Sequence, residues 1–131
     1  MRKTATLASI AVAFLLAGCT ASGIAEFDRE QTAVDRVDLP ERYTGVLGFE
    51  RDSMRWVAED GGVEFYVARV TDGACVIMVK DGDVDKAMSA CGGGEVGTSG
   101  QGFPHAKLYL DAPVSGPSHL KQLTPNLYVS E

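Results

Sequence analysis

The sequence predicts a small α+β or mostly β domain: an antiparallel sheet of about five strands in a meander, with one or two short helices and one disulfide. Three observations predict it. Between residues 54 and 80, three runs rich in β-branched and aromatic residues are separated by Gly-containing turns. Cys75 and Cys91 flank Asp81-Gly82-Asp83, a turn signal near their midpoint, so a chain reversal there brings the two cysteines opposite each other. The chain has 131 residues, 45% of them apolar, which suits one domain with one core.

Taken in order, residues 27–35 carry Phe27 and Val34 seven apart with mixed charges between, as in a short amphipathic helix or an ordered arm. That segment ends before Leu39-Pro40, because a residue preceding proline avoids the α region. Residues 54–58 are strand-like, 59–62 a turn, and 63–70 a strand. Thr71-Asp72-Gly73 is a second turn, and 74–80 is almost wholly apolar, hence a central strand buried on both faces. A first hairpin folded about Asp60-Gly61 sets Trp56 opposite Phe65. Trp56, Phe65 and Tyr66 then read as core packing with one amphipathic rim residue.

Residues 84–90 support a strand or a short helix. The composition leans to helix, with Asp83 or Asp85 near its N-terminal end and Gly92 as a stop. Gly92, Gly93, Gly94, Gly97, Gly100 and Gly102 make residues 92–102 a flexible loop. Residues 106–110 form a strand, 113–117 a loop, and 127–130 a closing strand after Pro125-Asn126.

Candidate reactive sites are sparse. Gly92-Gly93-Gly94-Glu95-Val96-Gly97 matches G-x-G-x-x-G only because it lies in a glycine tract, and no lysine lies between Ala87 and Ala106 to complete a phosphate loop. Asp81, Asp83 and Asp85 alternate like the start of a calcium loop. Lys86 and Gly92 stand where the turn glycine and closing glutamate belong, so they read as a solvated turn. Ser99 is followed by Gln101 where a nucleophile elbow needs glycine, and His105 and His119 fall in expected loops. Glu59, Asp60 and Glu64 could serve as acid/base groups only if a cleft gathered them. No cofactor and no metal is expected. With 12 basic and 18 acidic residues the chain has no footprint for nucleic acid.

The N-terminus is more specific. Met1-Arg2-Lys3 precedes an apolar run of 13 residues from Ala5 to Ala17. That run is short of the roughly 20 residues needed to span a bilayer, and the cationic start marks an export signal. Leu16-Ala17-Gly18-Cys19 resembles the lipobox of bacterial lipoproteins. The resemblance implies cleavage before Cys19 by signal peptidase II and a diacylglyceryl group on its thiol. Two acyl chains anchor stably where one holds only marginally. The expected organisation is a signal peptide at 1–18, a lipidated Cys19 with a tether at 19–26, and one extracytoplasmic domain at 27–131.

Losing residues 1–18 removes Arg2 and Lys3 and no acid, which leaves 10 − 18 = −8. Such a body gains nothing from anionic head groups and is expected to stand off the membrane. With Cys19 lipidated, Cys75 and Cys91 remain. An even pair in an exported domain reads as a disulfide, two buried free thiols and a redox pair being the alternatives.

The order Arg29-Glu30-Gln31-Thr32, Asp38-Leu39-Pro40, Ser53-Met54-Arg55-Trp56, Phe65-Tyr66-Val67-Ala68, Cys75-Val76-Ile77-Met78-Val79, Ala90-Cys91-Gly92 and Pro125-Asn126-Leu127-Tyr128-Val129 resembles a group of small actinobacterial lipoproteins and membrane-attached proteins. That group brings no activity to transfer. The expectation is a non-enzymatic binding domain at the cell envelope, with an envelope protein or peptide as partner. An enzyme or accessory factor acting on envelope polymers, and a small-ligand-binding lipoprotein, are the alternatives.

Overall fold

The computed structural model describes residues 23–131. The expected export signal and lipobox, Cys19 and the start of the expected tether lie outside them. The domain is mostly β, with eight strands in two four-stranded antiparallel sheets instead of about five in one. Strands β1 (Arg55–Asp60), β2 (Val63–Val70), β3 (Gly73–Lys80) and β4 (Asp83–Gly92) form the first sheet in sequential order. The second comprises β5 (Glu95–Gly100), β6 (Phe103–Tyr109), β7 (Lys121–Gln122) and β8 (Leu127–Val129), ordered β5-β6-β8-β7.

The hairpin turns follow from the residues that tolerate left-handed backbone. Gly61-Gly62 joins β1 to β2 with φ of 58° and 80°, and Asp81-Gly82 joins β3 to β4 with φ of 53° and 70°. Both central residues at positive φ twist the chain the way paired strands require. The first turn is centred one residue later than Asp60-Gly61, and β1 carries a bulge between Trp56 and Ala58. Tyr66, not Phe65, therefore lies opposite Trp56, and Phe65 lies opposite Ala58.

Alternation in β2 and β3 sends two apolar sets to opposite faces. Phe65, Val67, Val76 and Met78 pack with Val96, Ala106, Leu108, Leu127 and Val129 of the second sheet. Tyr66, Ala68, Cys75, Ile77 and Val79 pack on the other side with Leu39 and Met54 of the N-terminal arm. The first sheet is thus covered on both faces, which is why β3 is buried from Ala74 to Val79.

Residues 84–90 are strand, not helix. β4 pairs with β3 at Asp83 and from Ala87 to Gly92, with a bulge over residues 84–86, and this sets Cys91 directly opposite Cys75. Pairing outweighs a weak helical lean in composition. The two cysteines are disulfide-bonded. Their Cα atoms are 4.0 Å apart, shorter than the usual 4.4–6.8 Å, as the two cysteines face each other directly on adjacent strands. Arg42 donates to the Asp85 carbonyl and Tyr43 to the Ala87 carbonyl, so side chains of the arm cover part of the outer edge of β4.

The glycine tract is not a loop. Residues 95–100 form β5, which crosses into the second sheet after the Gly92-Gly93-Gly94 link. Gly73 explains why small residues cluster there. A Cβ on it would lie 2.1 Å from the Gly92 carbonyl oxygen. Gly73→Ala should therefore push β4 outward and cost about 1–3 kcal/mol, read as a lowered melting temperature in thermal denaturation.

Residues 27–35 lie in an ordered arm that continues to Met54, with short 3-10 turns at Ala25–Asp28 and Ala33–Asp35 near its start. Ile24 is already buried in the inter-sheet core, so the folded body includes residues expected to be tether. Asn126 holds that start in place by donating to the carbonyls of Gly23, Tyr109 and Leu110.

Candidate functional site: a cleft in the N-terminal arm

The arm runs from Arg29 to Met54 across the open face of the first sheet. What positions it is one buried carboxylate. Asp35 is wholly buried and accepts from both guanidinium nitrogens of Arg29 at 2.7 Å, from the Thr32 amide at 2.7 Å and hydroxyl at 3.0 Å, and from the Trp56 amide at 2.7 Å. The sequence Thr32-Ala33-Val34-Asp35 forms a capping box around its turn. The Trp56 amide is at the β1 bulge, so one side chain links the arm's turn to the sheet. The Arg29 guanidinium and the converging N–H donors hold the Asp35 carboxyl far below the usual carboxylate range, against the opposing effect of burial.

Two further contacts close the arm. The buried Arg55 donates to the carbonyls of Arg29, Asp52 and Met54. Ser53, in the 3-10 turn Arg51–Ser53, accepts from the Arg69 amide at 2.7 Å and donates to the Glu50 carbonyl at 2.6 Å. Between these ties the chain turns through α1 (Glu41–Thr44) and leaves a cleft of about 260 Å³. That volume sits at the lower end of small-molecule sites.

Leu39, Phe49, Val37 and Met54 supply the apolar lining of the cleft, while Arg36, Arg51, Asp52, Gln31 and Thr44 supply the polar part. Gln31 organises it. Its amide nitrogen donates to the carbonyls of Arg51 at 3.0 Å and Met54 at 3.2 Å, and its oxygen accepts from Arg36 Nε at 3.3 Å. Arg51 in turn donates to Thr44 Oγ1 at 3.0 Å. The ion pairs among the described residues engage Arg29, Arg42, Lys86, Lys107 and Lys121. Arg36 and Arg51 are in none of them.

A second hollow of about 350 Å³ lies beside the emerging N-terminal segment, lined by Ile24, Phe27, Ala74 and Leu110. Arg69 lies over the Phe27 ring at 4.6 Å.

The other sequence candidates are dispersed. Glu59 accepts from the Gly62 amide, Asp60 pairs with Lys121 at 2.7 Å, and Glu64 accepts from the Tyr66 hydroxyl. Glu59 and Glu64 are cross-strand neighbours, but each is engaged elsewhere. Burial and the Glu64 carboxylate push the Tyr66 phenol well above its ordinary range. Asp83 accepts from the Asp85 amide and pairs with Lys86, while Asp85 faces Arg42. No metal-holding group of three His, Cys, Asp or Glu occurs among the described residues. Ser99 and His105 are exposed on β5 and β6, and His119 is exposed on the segment leading into β7. Trp56 is half-buried and packs against the cluster under the arm.

Sequence reading passed over the cleft because its residues come from five short stretches of an aperiodic segment. The only local signal was four arginines and Gln31 beside isolated apolar residues in 29–54. No helix among the described residues is long and apolar enough to cross a membrane. Comparison of the chain with protein-family models, with curated proteins and with solved structures finds no match.

Proposed function

We propose that this chain is a lipid-anchored, extracytoplasmic binding protein of the cell envelope, with a non-enzymatic β-domain and an envelope protein, peptide or small component as its ligand. The observation that carries this reading is the Leu16-Ala17-Gly18-Cys19 lipobox behind a cationic start and a 13-residue apolar run. Two features support it. The domain is closed by a Cys75–Cys91 disulfide, which suits an oxidising compartment. It also offers a cleft in the arm, while Asp60 and Glu64 are each engaged elsewhere, with Lys121 and Tyr66.

The reading has a geometric consequence. The buried Ile24 lies five positions after Cys19, so the chain can reach at most roughly 18 Å between them. The acidic body then stands off the head groups, but only by that distance.

The test is acylation. Cys19→Ala removes the acceptor thiol at the lipobox. The variant should take up no labelled lipid in cells and should stay uncleaved by signal peptidase II. Normal lipid labelling of the variant would sink the proposal.

A further inference from the structure

We infer that the arm cleft binds a monoanionic carboxylate attached to a small apolar group, such as a leucine-like C-terminal residue of a peptide or a free short organic acid. This rests on the proposed reading of the domain as a binding module and names its ligand class. The argument starts from charge. The described domain carries 10 basic and 18 acidic residues, and of the five bases outside its ion pairs Arg55 and Lys80 are held on backbone carbonyls and Arg69 lies over the Phe27 ring, which leaves Arg36 and Arg51. Arg36 and Arg51 are both exposed, are in no ion pair among the described residues, and line the same cleft.

Both guanidinium groups are held in place. Gln31 accepts from Arg36 Nε, and Thr44 Oγ1 accepts from Arg51. Those contacts use one donor on each, and a guanidinium has five, so a fork remains on each for an incoming anion. The cost of ordering two long side chains is thereby met before a ligand arrives.

The remaining lining decides the class. Asp52 stands in the cleft with the two arginines, which makes its charge 2 − 1 = +1. One net positive charge suits a monoanion better than a phosphate dianion. Leu39 and Met54, both buried, and the half-buried Phe49 give the cleft an apolar side. The ligand therefore needs an apolar group next to its charge. A volume of about 260 Å³ limits that group to a side chain or a short tail.

The test uses the full chain as expressed, in detergent micelles, isotope-labelled and followed by amide chemical shifts. Titration with N-acetyl-L-leucine should give saturable shifts at residues 36–39 and 49–54. N-acetyl-L-leucinamide, the same group without charge, should bind at least tenfold more weakly. Arg36→Gln and Arg51→Gln should each weaken the acid by about tenfold, with the rest of the spectrum unchanged, and Arg36→Lys should retain part of the affinity. A tighter fit for acetyl-Ala-Ala-Leu than for N-acetyl-L-leucine assigns a peptide C-terminus, and the reverse order assigns a free acid.

Equal binding of acid and amide, tighter binding of inorganic phosphate, or shifts confined to another face would overturn the inference. The acid–amide comparison needs no variant, so a folding defect in the arginine mutants leaves it decisive. Lipid labelling at Cys19 is read separately. A silent titration with normal labelling defeats this inference alone, and a positive titration without labelling defeats the anchoring.

Discussion

Asp35→Ala should destabilise the domain by about 3 kcal/mol, a fall of roughly 10–15 °C in melting temperature. The Asp35 carboxylate is the acceptor for three kinds of donor at once: the Arg29 fork, the Thr32 amide and hydroxyl, and the Trp56 amide. Arg29 is part-exposed and can return to water, so its charge is not the main loss. The half-buried Trp56 amide at the β1 bulge has less freedom, and an amide left there without an acceptor carries much of its desolvation cost. Asp35→Asn should rescue little. An ionised aspartate only accepts, whereas an asparagine places an NH2 donor against one of these donors.

The same residue sets an acid limit. Its folded carboxyl lies below the unfolded value near 3.9, so its stabilisation is fully present above that pH and is lost as pH falls toward the depressed folded value. Melts from pH 7 down to about 2.5 should fall steeply below pH 4 for the native chain and more gently for Asp35→Asn. Parallel acid limbs would show that other carboxylates dominate. Because Asp35 ties the arm to β1, either variant should also blur the cleft's amide signals before those of the inter-sheet core.

Removing the disulfide is the second large effect, and the two ways of removing it should differ. Cys91→Ser should cost about 3 kcal/mol, the chain-entropy value for a 16-residue closure. Cys75→Ser removes the same bond but should cost about 1–3 kcal/mol more. Cys75 is fully buried among Ile77, Val79 and the arm, where a serine hydroxyl needs a partner, while Cys91 is exposed. Equal melting temperatures for the two variants would contradict this. Hydrogen exchange in Cys91→Ser should rise first in β4 and the Gly92-Gly93-Gly94 link, and in the facing Val76 to Val79, before it rises in the β1–β2 hairpin. The glycine segment beyond the link is itself paired to β6, so its loosening should stop near Val96 and not run to residue 102.

How much was legible in the sequence follows from how local each cause is. The β1–β2–β3 meander was legible because β-branched runs and Gly or Asp turns act over a few residues. The pairing of Cys75 with Cys91 was legible only in part: the Asp81-Gly82 turn alone would set Cys75 opposite Met88, and the bulge over residues 84–86 moves the register to Cys91. The Trp56 register was misplaced by the β1 bulge and a one-residue shift of the turn, neither of which has a distinct sequence signature. β4 and β5 were misread because polar and glycine-rich residues carry little strand preference of their own. They become strands because β3 and β6 offer them unpaired backbone groups. The cleft depended still more on tertiary structure. Arg36, Arg51, Leu39 and Met54 have no mutual spacing that marks a site, and they converge only because buried Asp35, Arg55 and Ser53 fasten the arm to the sheet. Short-range stereochemistry thus set the hairpin turns, while the β4 bulge set which residue faces Cys75. Long-range backbone pairing and buried charge decided the second sheet and brought the arginines together.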